Sequence, residues 1–269
     1  MLSDPNYAKV PKRLLLLGDE IGLPVLYTIG KSLGIEIFGV GFSRKNDEKT
    51  RLNVSSAWDI PILHSSSNTG SNQLILEFVR ENAINLVIMY SFDVILSKEI
   101  IELPNLQILN VHAGKIPDYR GANVLNWAII NGEKEIGVTV HEAKIPVDTG
   151  PIIGEWVIAI DRDDTALSAR EKVGKSVHQN LSKILHDFLC GFIIPKYQTD
   201  LSIQPYKKRK ADDGLFDWSY SDESIYNLVR GLVHPWPGAR YIDKNGNLVV
   251  LKEYLSLEEI KLIRKLENY

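Results

Sequence analysis

Hydrophobic positions in this chain fall into short unbroken runs that alternate with stretches of helical spacing. Residues 12–18 contain Leu14, Leu15, Leu16 and Leu17 in succession and end at Gly18-Asp19-Glu20. A short apolar run closed by glycine predicts a central strand of a parallel sheet, buried on both faces. Over residues 20–33, Ile21, Val25, Leu26, Ile29 and Leu33 recur near the helical period. Pro24 then sits in the first turn, where its missing N–H is harmless, and Gly34 is the stop. Residues 35–42 predict a second strand. Strand, helix and strand in this order imply a right-handed crossover and a parallel sheet. The same pattern predicts strands at 60–64, 86–90, 106–112, 137–141 and 152–160. Helices are predicted over 73–81, over 121–130 with Trp127 in the core, and over 165–192. In the last, Val173, Val177, Leu181, Leu185 and Leu189 share a face. Residues 1–10 read as a polar lead-in and 65–72 as a polar loop.

The pattern changes after residue 204. A basic run, Pro205-Tyr-Lys-Lys-Arg-Lys210, precedes Ala211-Asp-Asp-Gly-Leu-Phe-Asp-Trp218. A helix over 221–232 and a rigid His234-Pro-Trp-Pro-Gly238 turn follow. A hairpin is predicted around Asn245-Gly246. Ser256 with Glu259 forms a capping box that opens a last helix. The expected class is therefore α/β: a Rossmann-like, doubly wound, mostly parallel sheet over 1–204. A small C-terminal α+β appendage occupies 205–269.

Composition narrows the function classes. Apolar residues make up 44% and charged residues 24%, as in ordinary globular proteins. The net charge of −3 gives no broad footprint for nucleic acid. Cys190 is the only cysteine, which excludes an intramolecular disulfide and suggests no cysteine-based zinc site. No apolar run reaches the roughly 18 residues of a membrane span, and without a signal-peptide pattern the expected location is cytoplasmic. The Gly18-Asp-Glu-Ile-Gly22 loop departs from the Gly-x-Gly-x-x-Gly spacing, which argues against NAD. Its backbone N–H groups could still meet a phosphate at a helix N-terminus, although Asp19 and Glu20 oppose this electrostatically.

The chemistry concentrates between residues 110 and 150. Asn110 and His112 lie two apart at the end of a predicted strand, so their side chains share a face. Gly137-Val-Thr-Val-His141 predicts another strand, and Asp148 follows in a Val147-Asp-Thr-Gly150 loop. An amide, an imidazole and a carboxylate converging at strand ends suit acyl transfer, in which one group takes a proton and others hold a developing oxyanion. Taken singly, a strand histidine is usually structural and Asp-Thr-Gly is usually a turn.

The ordered set carries more weight. Asn110-Val-His112, Pro117-Asp-Tyr-Arg-Gly121, Gly137-Val-Thr-Val-His141 and Asp148-Thr-Gly150 resemble the signature of the folate-dependent formyltransferases, from residue 12 to about residue 240. The resemblance implies a formyltransferase fold and 10-formyltetrahydrofolate as formyl donor, with no metal. It assigns Asn110, His112 and Asp148 to catalysis, and places Met89, Tyr90, Ser91, Phe92, Val147 and Asp148 in the folate pocket. His141 is expected to support the site from beneath. Arg120, Tyr119, Lys208 and Arg209 are the acceptor-side candidates. Phosphates are expected at Arg120 or within the basic cluster 207–210.

The Asp212-Asp-Gly214, Asp217-Trp218 and Pro235-Trp-Pro-Gly-Ala239 elements are similar to those of two branches, which act on nucleotide-linked amino sugars and on methionyl-tRNA. A tRNA enzyme needs a basic field that this chain lacks, whereas one basic cluster suffices for one diphosphate. The expected acceptor is therefore a nucleotide-linked amino sugar, by analogy dTDP-4-amino-4,6-dideoxyglucose, as used in O-antigen and lipopolysaccharide assembly. The expected assembly is a homodimer with no nucleic-acid or membrane partner. A shortened methionyl-tRNA formyltransferase and a non-catalytic folate- or nucleotide-binding protein are the alternatives. Gly114-Lys-Ile-Pro117 and Val124 depart from the family pattern, which bears on the acceptor loop and leaves the three catalytic candidates intact.

Overall fold

The computed structural model describes residues 11–267; the lead-in read at 1–10 lies outside the described residues. Seven strands form one sheet in the order β3-β2-β1-β4-β5-β6-β7. They are β1 (Arg13–Gly18), β2 (Glu36–Phe42), β3 (Ile62–Leu63), β4 (Leu86–Tyr90), β5 (Gln107–His112), β6 (Glu135–Glu142) and β7 (Ile152–Ala159). Strands β1 to β5 pair in parallel, and β6 runs antiparallel to β5. The order steps outward from β1 through β2 to β3 and, on the other side, through β4 to β5. That is the doubly wound arrangement expected from the alternating pattern.

Helices α1 (Gly22–Ser32), α2 (Glu48–Ser55), α3 (Asn68–Glu81) and α4 (Lys98–Ile101) connect the parallel strands. The segment read as a polar loop at 65–72 is partly helical. Ser67 caps α3 by accepting from the Gly70 N–H, so the helix starts well before its apolar stripe. Helix α2 has no apolar stripe and is set by its cap, in which Asp47 accepts from the Thr50 N–H.

The chain divides into two compact units. Unit 1 comprises Met1–His112, Val138–Trp156 and Gly174–Leu201. Its core packs Leu15, Leu17, Val87, Met89 and Ile108 of the sheet against Ile75 and Val79 of α3. Unit 2 comprises Ala113–Gly137, Val157–Val173 and Ser202–Tyr269. It therefore gathers earlier segments of the chain around the C-terminal part, where the sequence pattern suggested one cut after residue 204. The cause is packing: α5 (Val124–Ile130) buries Asn126, whose amide donates to the Gly231 carbonyl at 2.7 Å just beyond α7 (Asp222–Arg230). Helix α6 (Ala166–Leu189) belongs to both units. The expected hairpin forms from β8 (Ala239–Ile242) and β9 (Leu248–Leu251), and the capping box opens α8 (Leu257–Leu266). Among the described residues no helix is long and apolar enough to cross a membrane.

Candidate active site

The face of β5 that carries Ile108 into the core turns polar at Asn110 and His112. The antiparallel register sets His141 of β6 opposite Asn110 and Thr139 opposite His112. Cross-strand partners share a face, so Asn110, His112 and His141 are brought together by sheet geometry alone. Asp148 arrives from the loop between β6 and β7. Its backbone is left-handed, with φ of +58°, a conformation that Asp tolerates better than most residues. The loop closes tightly behind it. A Cβ on Gly150 would stand 1.8 Å from the Glu142 carbonyl oxygen, so this position requires glycine.

The four side chains meet around one carboxylate. Asp148 Oδ1 lies 3.4 Å from His141 Nε2 and 3.5 Å from Asn110 Nδ2, and Oδ2 lies 3.7 Å from His112 Nδ1. Asp148, His112 and His141 are all buried. His141 Nδ1 donates to the Glu142 carbonyl at 2.8 Å, so in the neutral ring Nε2 is the acceptor and takes a hydrogen from Asn110 Nδ2 at 3.2 Å. The two imidazoles approach edge-on, with centroids 6.2 Å apart. One buried carboxylate thus faces two imidazoles. The neighbouring amide can donate to a developing oxyanion.

The folate-pocket candidates fall in three settings. Met89 and Tyr90 are buried in β4, in register with Asn110 and Val111. Ser91 leaves the strand with φ of +56° and its hydroxyl donates to Asp19 Oδ2 at 2.7 Å. Phe92 packs half-buried against the core, whereas Val147, next to Asp148, is 50% exposed. Asp19 also accepts from the N–H groups of Ile21 and Gly22 at 3.1 and 2.9 Å. Its carboxylate occupies the first-turn donors that a phosphate would need, so the phosphate reading of this loop falls away.

The acceptor-side candidates all lie in unit 2. Arg120 is 4% exposed and its guanidinium donates to the Ile203 carbonyl. Main-chain bonds from Tyr206 N to Arg120 O and from Ala122 N to Tyr206 O zip its loop to the linker. Tyr119 stacks on Tyr206 at 5.2 Å, Tyr206 on Trp127 at 5.3 Å, and the Arg209 guanidinium lies 4.2 Å over Trp127. Trp127, expected in the core, is half-buried in this stack. The Tyr119 hydroxyl donates to Glu133 at 2.7 Å, and burial pushes its pKa far above the ordinary phenol value. Lys208 is exposed. Arg209 uses Nη2 on the Asp213 carbonyl at 2.6 Å, while Nε and Nη1 are buried without a hydrogen-bond partner. A cavity of about 270 Å³ in this unit is lined by Gly114, Lys115, Tyr119, Glu133, Glu135 and Gly137, among others.

Among the described residues no group of three or more His, Cys, Asp or Glu side chains could hold a metal ion. Sequence reasoning placed His141 beneath the site; the register makes it a direct neighbour of Asp148. Gln198 was not singled out at all, because nothing local in its sequence marks it. Its amide donates to the carbonyls of Asp148 and Gly150.

Residues 40–185 match the formyl transferase family, and residues 208–261 match the formyl transferase C-terminal domain. The chain belongs to the formyl transferase family. Among characterised relatives it is similar to the bifunctional polymyxin resistance protein ArnA of Wigglesworthia glossinidia brevipalpis, with 33% identity over 194 residues. That match covers 72% of this chain but spans only 30% of the relative's length. Among solved structures, a sugar N-formyltransferase from Shewanella sp. FDAARGOS_354 superposes with a TM-score of 0.72 at 18% identity, covering 92% of this chain and 99% of the other. HypX of Aquifex aeolicus, in complex with tetrahydrofolic acid, gives a TM-score of 0.67 at 20% identity, covering 91% of this chain and 38% of that protein. At these identities the structural matches establish a shared fold.

Proposed function

We propose that the protein transfers a formyl group from 10-formyltetrahydrofolate to the amine of a nucleotide-linked amino sugar, with dTDP-4-amino-4,6-dideoxyglucose as the first acceptor to test. The observation that carries this reading is the convergence of Asn110, His112 and His141 on the Asp148 carboxylate. Family membership, the sugar N-formyltransferase of the same fold and the tetrahydrofolate-bound relative all support it. The folate assignment fits the exposed apolar side chains of Ile145 and Val147 on the Asp148 loop, a surface for a flat heterocycle beside the half-buried amide donor of Asn110.

The donor supplies an activated formyl carbon. The acceptor amine attacks that carbon, the bond from carbon to folate nitrogen breaks, and one proton must leave the amine. His112 turns Nδ1 toward Asp148, so its Nε2 takes that proton and returns it to the departing folate nitrogen. With a reference pKa of about 6.5, an imidazole can do both near neutrality. Asn110 redirects its long 3.5 Å contact with Asp148 toward the formyl oxygen as negative charge develops there. Asp148 favours the charged imidazole and fixes its orientation.

In unit 2, Arg209 is the side chain best suited to the acceptor's phosphates. Two of its nitrogens have no hydrogen-bond partner in the protein, and burial lowers its pKa, a desolvation cost on a permanently charged fork that an anion would offset. Lys208 adds a second, solvated cation. O-antigen or lipopolysaccharide assembly in the cytoplasm is the corresponding cellular setting. A homodimer would cover Ile242 and Leu248, the exposed cross-strand pair of the hairpin. Incubation with 10-formyltetrahydrofolate and a panel of dTDP-, UDP- and GDP-linked amino sugars, with product mass as readout, tests the reading. Formylation of none of them would overturn it. A steep fall of acceptor binding with salt, seen with methionyl-tRNA in place of the sugar, would favour the tRNA alternative.

A further inference from the structure

The side chain of Gln198 reaches the active-site loop from a distant part of the sequence. Ile152 and Lys196 form an isolated antiparallel bridge, with Ile152 N donating to Lys196 O at 2.7 Å and Lys196 N to Ile152 O at 2.8 Å. Two residues further along each strand, the same register sets Gln198 opposite Gly150. No ladder continues there, because the backbone turns into the Asp148 loop. Gln198 takes over with its side chain. Its Nε2 donates to the Gly150 carbonyl at 2.8 Å and to the Asp148 carbonyl at 3.0 Å. The opposite amide orientation would press Oε1 against two carbonyl oxygens, so the chemistry fixes which end donates. In the orientation adopted, Oε1 is buried without a hydrogen-bond partner.

What the two donated bonds hold is the left-handed backbone at Asp148. The two accepting carbonyls bracket Thr149. Thr149 is itself tied by its hydroxyl to the Pro146 carbonyl at 2.6 Å. Fixing both carbonyls fixes the peptide planes that aim the Asp148 carboxylate at Asn110, His112 and His141. We propose that Gln198 is a positioning residue for Asp148: it clamps the Asp148–Gly150 turn so that the carboxylate stays aligned with the imidazoles. This rests on the formyl-transfer reading of the site.

Three variants test the clamp. Gln198→Ala removes both bonds and is expected to lower kcat by about 10–100-fold, the scale of a misplaced catalytic group, with a smaller change in KM. Gln198→Glu keeps the shape but turns a carboxylate toward two carbonyls. That contact disfavours the charged form, and protonation would restore one O–H donor. The ratio of its kcat to that of the wild type should therefore rise as pH is lowered from about 8 to about 6. Lys196→Ala, on the same segment, should leave both readouts unchanged. A wild-type kcat in Gln198→Ala, or a flat ratio in Gln198→Glu, overturns the clamp. If the wild type transfers no formyl group at all, it is the functional reading that fails. The clamp is then read from hydrogen exchange at the Thr149 and Gly150 amides and from the imidazole NMR signals of His112 and His141. Faster exchange and shifted signals in Gln198→Ala support it, and unchanged ones overturn it.

Discussion

Asp148 in unit 1 and Asp164 in unit 2 are 5% and 6% exposed, yet the side chains facing them differ in kind. Asp164 is saturated. It accepts from the Asp161 N–H at 2.7 Å, the Ser168 hydroxyl at 2.8 Å and Lys172 at 2.5 Å, and its carbonyl accepts from Arg230 at 2.8 Å. Asp148 instead meets Asn110, His112 and His141 at 3.4–3.7 Å, each contact at or beyond the long end of a hydrogen bond. Asp164, ringed by a backbone N–H, a hydroxyl and an ammonium, holds a corner of the fold. Two imidazoles and an amide beside Asp148 are groups that can change partner or charge during a reaction, and catalytic hydrogen bonds often tighten only when substrate binds.

This contrast can be broken from either side. The largest effect is expected at His112. His112→Ala removes the proton acceptor and should lower kcat for formyl transfer by about 10³-fold, within the range for general acid–base catalysis. A steady-state assay at saturating donor checks it, and a rate equal to wild type would remove His112 from the chemistry. Asn110→Ala comes next, with a loss of about 2.7–4 kcal/mol in transition-state stabilisation if the amide holds the oxyanion. The same assay reads it, provided circular dichroism shows the fold intact.

Asp164→Ala should do the reverse. It should cost about 1–3 kcal/mol of stability through the donors it strands, measured by urea unfolding, while kcat stays at the wild-type value. A catalytic defect there would collapse the distinction between the two carboxylates. The smallest effect is one of pH. Burial alone would raise the Asp164 pKa, but Lys172, the Asp161 amide and Ser168 outweigh it and hold the carboxyl below its ordinary value. A depressed folded pKa contributes stability above the unfolded pKa of about 3.9 and loses it as pH falls through the folded value. Thermal unfolding should therefore shift down on acidification below about pH 4. Lys172→Met should weaken that shift.

Much of the architecture was legible in the sequence because it rests on local pattern. The leucine run of β1, the apolar run of β4 and the Ser256–Glu259 capping box each declare themselves within a few residues. Helix α2 does not, since its single cap bond at Asp47 replaces any apolar stripe. Within the site, Asn110 and His112 could be paired from their spacing on one strand. The place of His141 required the β5–β6 register, and Gln198 required the bridge at Ile152 and Lys196; both are long-range facts that no local spacing encodes. Arg120 illustrates the same limit in unit 2. Its residue type suits phosphate, but whether the guanidinium meets a ligand or a carbonyl depends on the path of the linker, and here it donates to Ile203.

Asp148→Asn offers the most direct measurement. It keeps the size of the side chain and its tolerance for left-handed backbone, removes the charge shared by the two imidazoles and turns one acceptor oxygen into an N–H donor. Compared with wild type for formyl transfer from 10-formyltetrahydrofolate to the amino-sugar nucleotide, it should be slower by about 10³-fold with an unchanged melting temperature. Wild-type turnover in that variant would contradict the proposal that chemistry is organised around this carboxylate.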